Sequence, residues 1–125
     1  MIRTILAIDD SATMRALLQA TLAQAGYDVT VAADGDAGLD VASATSFDLV
    51  LTDQHMPGKS GLEVIAALRA GAVYADTTIL VLTTEDGEAF KAAARDAGAT
   101  GWIEKPLDPD MLLDVVATLS APAAS

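Results

Sequence analysis

The sequence predicts an α/β chain of five β–α units laid on a parallel sheet. Two observations carry that reading. Five short, mainly apolar runs alternate along the 125 residues with longer segments of helical period. Four of these runs end on reactive side chains: Asp9 and Asp10 after Ile5–Ile8, Asp53 after Leu49–Thr52, Thr83 after Ile79–Leu82, and Lys105 soon after Trp102–Ile103. In an open parallel sheet the carboxyl ends of the strands share one edge, and ligands bind in the crevice beyond it.

Each element has its own justification. Ile5–Ile8, Val29–Ala32, Leu49–Leu51, Ile79–Leu82 and the segment near Trp102–Ile103 have the continuous apolar character of strands covered on both faces. Met14, Leu17, Leu18, Thr21, Leu22 and Ala25 repeat at helical spacing, with Asp10 or Ser11 as N-cap and Gly26 as the stop. Asp34-Gly35 opens a second helix to about Thr45, and Ser60-Gly61 opens a third to about Ala70. Asp86-Gly87 opens a fourth that stops at Gly98. Asp108-Pro109 supplies N-cap and first turn for the last helix, with Leu112, Val115, Val116 and Leu119 as its apolar stripe. The pattern predicts one domain over residues 1–120 and a disordered tail over 121–125, with no linker to a second domain.

Composition narrows the function. With 52% hydrophobic residues the chain can bury one good core and is too short for two ordinary domains. Seven Lys and Arg against 18 Asp and Glu give a formal net charge of -11, which repels nucleic acid and anionic membrane. There is no Cys, so disulfides and thiolate metal sites are excluded. The apolar segment before Asp9 is far short of a signal-peptide core, and the longest apolar run is only Val64 to Leu68; both point to a cytoplasmic protein.

The acidic cluster demands a partner. Two carboxylates about 5 Å apart repel by ~3 kcal/mol at an effective dielectric of about 20, and one Lys cannot neutralise three of them. A hard cation with oxygen ligands is expected, and Mg²⁺, which keeps several waters and takes one or two carboxylates plus a phosphate oxygen, fits best. Taken singly, each residue has an ordinary structural explanation: Asp10 as a helix cap, Asp53 as a turn residue before Met56-Pro57-Gly58, Thr83 as a strand-end hydroxyl, Lys105 as a surface lysine. Their joint placement at four strand ends reverses those odds.

Ile8-Asp9-Asp10-Ser11, Leu51 to Gly58 (LTDQHMPG), Leu80 to Thr84 (LVLTT) and Gly98 to Pro106 (GATGWIEKP) resemble the signature segments of receiver domains in two-component response regulators. The resemblance covers about residues 3 to 119 and is nearest to chemotaxis-type, CheY-like single-domain regulators. It implies a flavodoxin-like doubly wound sheet of order 2-1-3-4-5. It makes Asp53 the phosphoacceptor for a sensor histidine kinase, with self-catalysed phosphotransfer and autodephosphorylation in place of turnover on a separate substrate. It places Mg²⁺ on the carboxylates of Asp10 and Asp53 and the backbone carbonyl of His55, with Asp9 holding it mainly through water, sets Lys105 against Asp53 and the phosphoryl oxygens, and has Thr83 hydrogen-bond the phosphoryl group.

The same resemblance implies a switch, in which an aromatic residue on the last strand turns into space vacated by Thr83. That position holds Trp102, whose bulk and N–H make static packing an equal alternative. His55 stands where Asn is common, and with Glu85 it falls at positions that tune phosphate lifetime. Ser60-Gly61 replaces a more usual Asp-Gly, with an expected effect confined to its loop. Implied partners are the kinase, a phosphatase and an output protein such as the flagellar motor switch, bound through the face of helix 4, strand 5 and helix 5. A phosphate sink or phosphorelay intermediate fits the same site. Three other classes fit less well. An aspartate phosphohydrolase wants Asp-x-Asp and a cap domain, a flavin carrier wants a phosphate loop where Asp9-Asp10 stands, and a degenerate receiver would not keep all five rim residues.

Overall fold

A computed structural model describes residues 2–120; the expected tail at 121–125 lies outside the described residues. The element order is β1 (Thr4–Ile8), α1 (Ala12–Gln24), β2 (Asp28–Ala32), α2 (Gly35–Ala44), β3 (Leu49–Asp53), α3 (Gly61–Ala70), β4 (Thr78–Thr83), α4 (Glu88–Ala97), β5 (Gly101–Glu104) and α5 (Pro109–Ser120). All four strand pairings are parallel and the order is β2-β1-β3-β4-β5, the doubly wound arrangement. Its topological switch point falls between β1 and β3, beside which Asp9 and Asp53 emerge.

Strand alternation divides the core in two. Leu6, Ile8, Val50, Ile79 and Val81 face α2, α3 and α4, where they meet Ala42, Val64, Ile65, Leu68, Phe90 and Ala94. Ile5, Ala7, Leu49, Leu51, Leu80, Leu82 and Ile103 face Leu18 and Leu22 of α1 and Leu112 and Val116 of α5. The central strands β1, β3 and β4 are covered on both faces. β2 is not: its burial is partial over Val29–Val31, because the strand order places it at an edge.

Helix starts follow their caps. Ser11, not Asp10, caps α1 by accepting from the Met14 N–H, which leaves the Asp10 carboxylate free at the rim. Asp34 caps α2 through the Ala37 N–H, and Ser60 with Glu63 forms a capping box on α3. α4 begins at Gly87 without a side-chain cap and ends at Gly98, whose φ of 101° suits a residue lacking Cβ. The apolar stripes of α1 and α5 are wider than the faces they bury. Leu18, Leu22, Leu112 and Val116 are covered, whereas Leu17 and Leu119 are exposed and Val115 is half-exposed, because each of these helices meets the sheet along one i, i+4 row. No helix among the described residues is long and apolar enough to cross a membrane.

Candidate functional site

The rim is assembled by backbone hydrogen bonds that tie each strand exit to its neighbour. At the end of β1, the Asp9 N–H donates to the Ala32 carbonyl at 3.0 Å. The Asp9 carbonyl accepts from Arg15 Nη1 at 2.8 Å, and Asp9 Oδ1 accepts from the Ser11 N–H at 2.9 Å. Asp9 is therefore fixed on three sides, and it is only 1% exposed. Its remaining oxygen, Oδ2, is the one buried side-chain polar atom without a hydrogen-bond partner among the described residues. Burial pushes the Asp9 carboxyl above its ordinary range; the Ser11 N–H opposes this, the charge of Asp53 adds to it, Lys105 opposes it and Asp10 adds again.

Asp53 closes β3 and is 4% exposed. Beyond it, the Gln54 N–H donates to the Leu82 carbonyl at 3.0 Å, locking the exit of β3 to β4. Gln54 also anchors the start of α3, accepting the Gly61 N–H on its carbonyl and the Leu62 N–H on its side chain, each at 3.0 Å. This fold-back brings Gly61 so close that a Cβ there would lie 2.5 Å from the Asp53 carbonyl.

Across β4, the Lys105 N–H donates to the Thr83 carbonyl at 2.8 Å, which aims the side chain at the centre of the rim. Its Nζ lies 2.7 Å from Asp53 Oδ1, a charge-assisted hydrogen bond on a side chain that is 23% exposed. Asp10 is exposed beside this pair, and one oxygen from each of Asp9, Asp10 and Asp53 lies within 4.8 Å of the others. The Thr83 side chain is buried and its hydroxyl accepts the Glu85 N–H at 2.9 Å. That leaves the hydroxyl hydrogen available to a new acceptor.

A buried carboxylate, a lysine bonded to it and three carboxylates gathered within 4.8 Å are the kinds of group that phosphoryl transfer with a divalent cation uses. The profile of the response regulator receiver domain matches residues 5–117. The chain belongs to the response regulator receiver domain family. The receiver is 35% identical over 127 residues to a chemotaxis protein CheY homologue of Campylobacter jejuni, covering 97% of this chain and 98% of that protein. It is 37% identical over 109 residues to the uncharacterized transcriptional regulatory protein YkoG of Bacillus subtilis, but spans only 47% of that relative's length. Among solved structures, a response regulator protein from Burkholderia multivorans is 78% identical over the whole of both chains, with a TM-score of 0.85.

The remaining candidates of this receiver lie around the nest. His55 is 65% exposed on the β3–α3 loop, and its Nε2 lies 3.3 Å from Glu85 Oε2 on the β4–α4 loop, so the two tuning candidates touch each other across the rim. Trp102 is half-buried on β5, directly opposite Val81 in register and packed on the α4 side of the sheet. Thr83, two residues beyond Val81, points to the same side.

Sequence reasoning missed four supporting residues of the receiver: Arg15, Gln54, Gly61 and Lys91. Arg15 follows its N-cap Ser11 by four positions, so the first turn of α1 carries it back to Asp9. Ser60 acts locally as the cap of α3, whereas its neighbour Gly61 reaches beyond the loop and abuts the Asp53 carbonyl. Lys91 stacks near Trp102, a contact between elements that no local spacing announces.

Proposed function

We propose that this receiver accepts a phosphoryl group on Asp53 from the phosphohistidine of a sensor kinase and thereby changes its affinity for an output protein. The observation that carries the reading is the buried Asp53 carboxylate held by Lys105 within the Asp9, Asp10 and Asp53 nest. An Asp53 oxygen attacks phosphorus, the new O–P bond forms as the donor's N–P bond breaks, and the imidazole takes the N–P electron pair and leaves as the neutral ring, keeping the proton already on its other nitrogen. Lys105 orients the nucleophile before the step and balances phosphoryl charge after it.

The nest fits a divalent cation on physical grounds, since Asp9 Oδ2 is buried without a partner and the three carboxylates repel. Asp9, Asp10 and Asp53 would hold Mg²⁺ with the His55 backbone carbonyl. When bound, the cation neutralises the carboxylates and the incoming phosphoryl oxygens. Asp9 contributes its charge from a position locked by Arg15 and Ser11, and Asp53 keeps an oxygen for attack.

Phosphorylation adds about 1.5–2 negative charges and three acceptor oxygens, toward which the free Thr83 hydroxyl hydrogen can turn. Trp102, on the same side of the sheet, follows, and the surface of α4, β5 and α5 changes with it. His55 and Glu85 flank the mouth of the site and set phosphate lifetime. The nearly full-length match to a chemotaxis CheY homologue supports chemotaxis-type output in the cytoplasm, such as a flagellar motor switch. The test is the emission of Trp102, the one Trp in the chain. Phosphorylation should change it in the wild type, whereas Thr83→Ala should take phosphate and lose most of the change. An equal change in both proteins would refute the Thr83 route.

A further inference from the structure

Trp102 is not free to move without leaving a specific partner. Its indole lies under α4, against the cluster that contains Phe90 and Ala94, and the Nζ of Lys91 sits 5.6 Å from the ring centroid. The Lys91 side chain is 26% exposed, so its ammonium reaches this ring from a largely covered stem. The competing anion, Glu88, is 3.9 Å from the same Nζ but almost wholly exposed, and its pull is screened by water. A cation–π attraction acts within about 6 Å of the centroid, so this contact is already near its limit. A rotamer change that draws the indole toward Thr83 moves the ring along the α4-covered face, and because the contact already stands at 5.6 Å any lengthening weakens it.

We propose that Lys91 is a latch on the switch: its charge holds Trp102 in the resting position and so sets how readily the receiver responds to phosphorylation. The inference rests on the reading of Trp102 as the moving residue. Removing the latch leaves the phosphoacceptor intact and shifts the equilibrium between resting and switched forms by about two- to fivefold, the factor a partly exposed cation–π contact carries. By linkage, a ligand that favours the switched form then binds tighter by up to the same factor, provided the resting form dominates beforehand.

The experiment titrates beryllofluoride, a phosphoryl mimic, at saturating Mg²⁺ into wild type, Lys91→Met and Lys91→Arg. The midpoint is read from Trp102 emission and checked by acrylamide accessibility. Midpoints are compared and amplitudes are not, because loss of the ammonium alters resting emission directly. Lys91→Met, which keeps an unbranched stem without the charge, should lower the midpoint by about two- to fivefold, and Lys91→Arg should stay near wild type. Intact mass with a small acyl phosphate should show phosphorylation in all three. If wild-type emission responds but Lys91→Met keeps or raises the wild-type midpoint, the latch is wrong while the Trp102 switch stands. If wild-type emission is unmoved by a demonstrated phosphorylation, Trp102 is static and both fail.

Discussion

Replacing Asp9 with Asn should stabilise the metal-free protein, because it removes one member of a repulsive triad without disturbing the hydrogen bonds that place it. Separations within 4.8 Å correspond to ~3.5 kcal/mol of repulsion per ionised pair at an effective dielectric of about 20. Lys105 and the water around exposed Asp10 offset much of this, leaving an expected gain of about 1–3 kcal/mol. The Asn oxygen can still accept the Ser11 N–H, and its amide takes the place of the unpartnered Oδ2. For a chain of this size that gain is a rise in Tm of roughly 4–11 °C, read by thermal unfolding in EDTA. Burial raises the folded-state pKa of Asp9 above its ordinary 3.8, so the folded protein holds the extra proton and stability falls as pH rises from 3.8 through the raised value. The advantage of Asp9→Asn should therefore vanish below that window, grow across it and level off above it. Added Mg²⁺ should raise the wild-type Tm and the variant's much less. A variant that melts no higher than wild type in EDTA at neutral pH refutes the electrostatic reasoning.

Three further outcomes follow from the same geometry. Lys105→Met leaves the buried Asp53 carboxylate without its 2.7 Å partner and should cost about 1–3 kcal/mol by chemical denaturation, most of it absent in an Asp53→Asn background. Gly61→Ala forces a methyl against the Asp53 carbonyl and should cost about 1–3 kcal/mol, with a slower initial rate of phosphorylation by a small acyl phosphate. Tyr74→Phe removes the hydroxyl that lies 2.8 Å from the Ala42 carbonyl and 2.9 Å from that of Thr45, tethering the end of α2 to the loop after α3. It should cost about 1 kcal/mol in denaturant and leave the phosphorylation rate unchanged.

The sequence exposes those features that depend on local period and on strand ends. Unbroken apolar runs mark β1, β3 and β4 because the order β2-β1-β3-β4-β5 buries both their faces. The same rule overstates β2, whose valines and threonine face solvent in part at the sheet edge. Helix boundaries are legible from Ser11, Asp34 and Ser60 because a cap is a contact over two or three residues. What stays hidden is set by tertiary approach. The i, i+3, i+4 stripes of α1 and α5 do not reveal that Leu17, Val115 and Leu119 fall outside the covered row. Nor does any spacing place Lys91 over Trp102 or His55 against Glu85, whereas Arg15 on the Asp9 carbonyl follows from its place in the first turn of α1 once Ser11 is known as the cap. The convergence of Asp9, Asp10, Asp53 and Lys105 was foreseeable because parallel strands deliver their ends to one edge.

The central claim, that Asp53 is the phosphoacceptor, is tested most directly by intact mass after incubation with Mg²⁺ and a small acyl phosphate. Wild type should gain a single phosphoryl group that hydroxylamine removes, the gain should disappear in EDTA, and folded Asp53→Asn should gain none. Undiminished, hydroxylamine-labile labelling of Asp53→Asn would contradict the account.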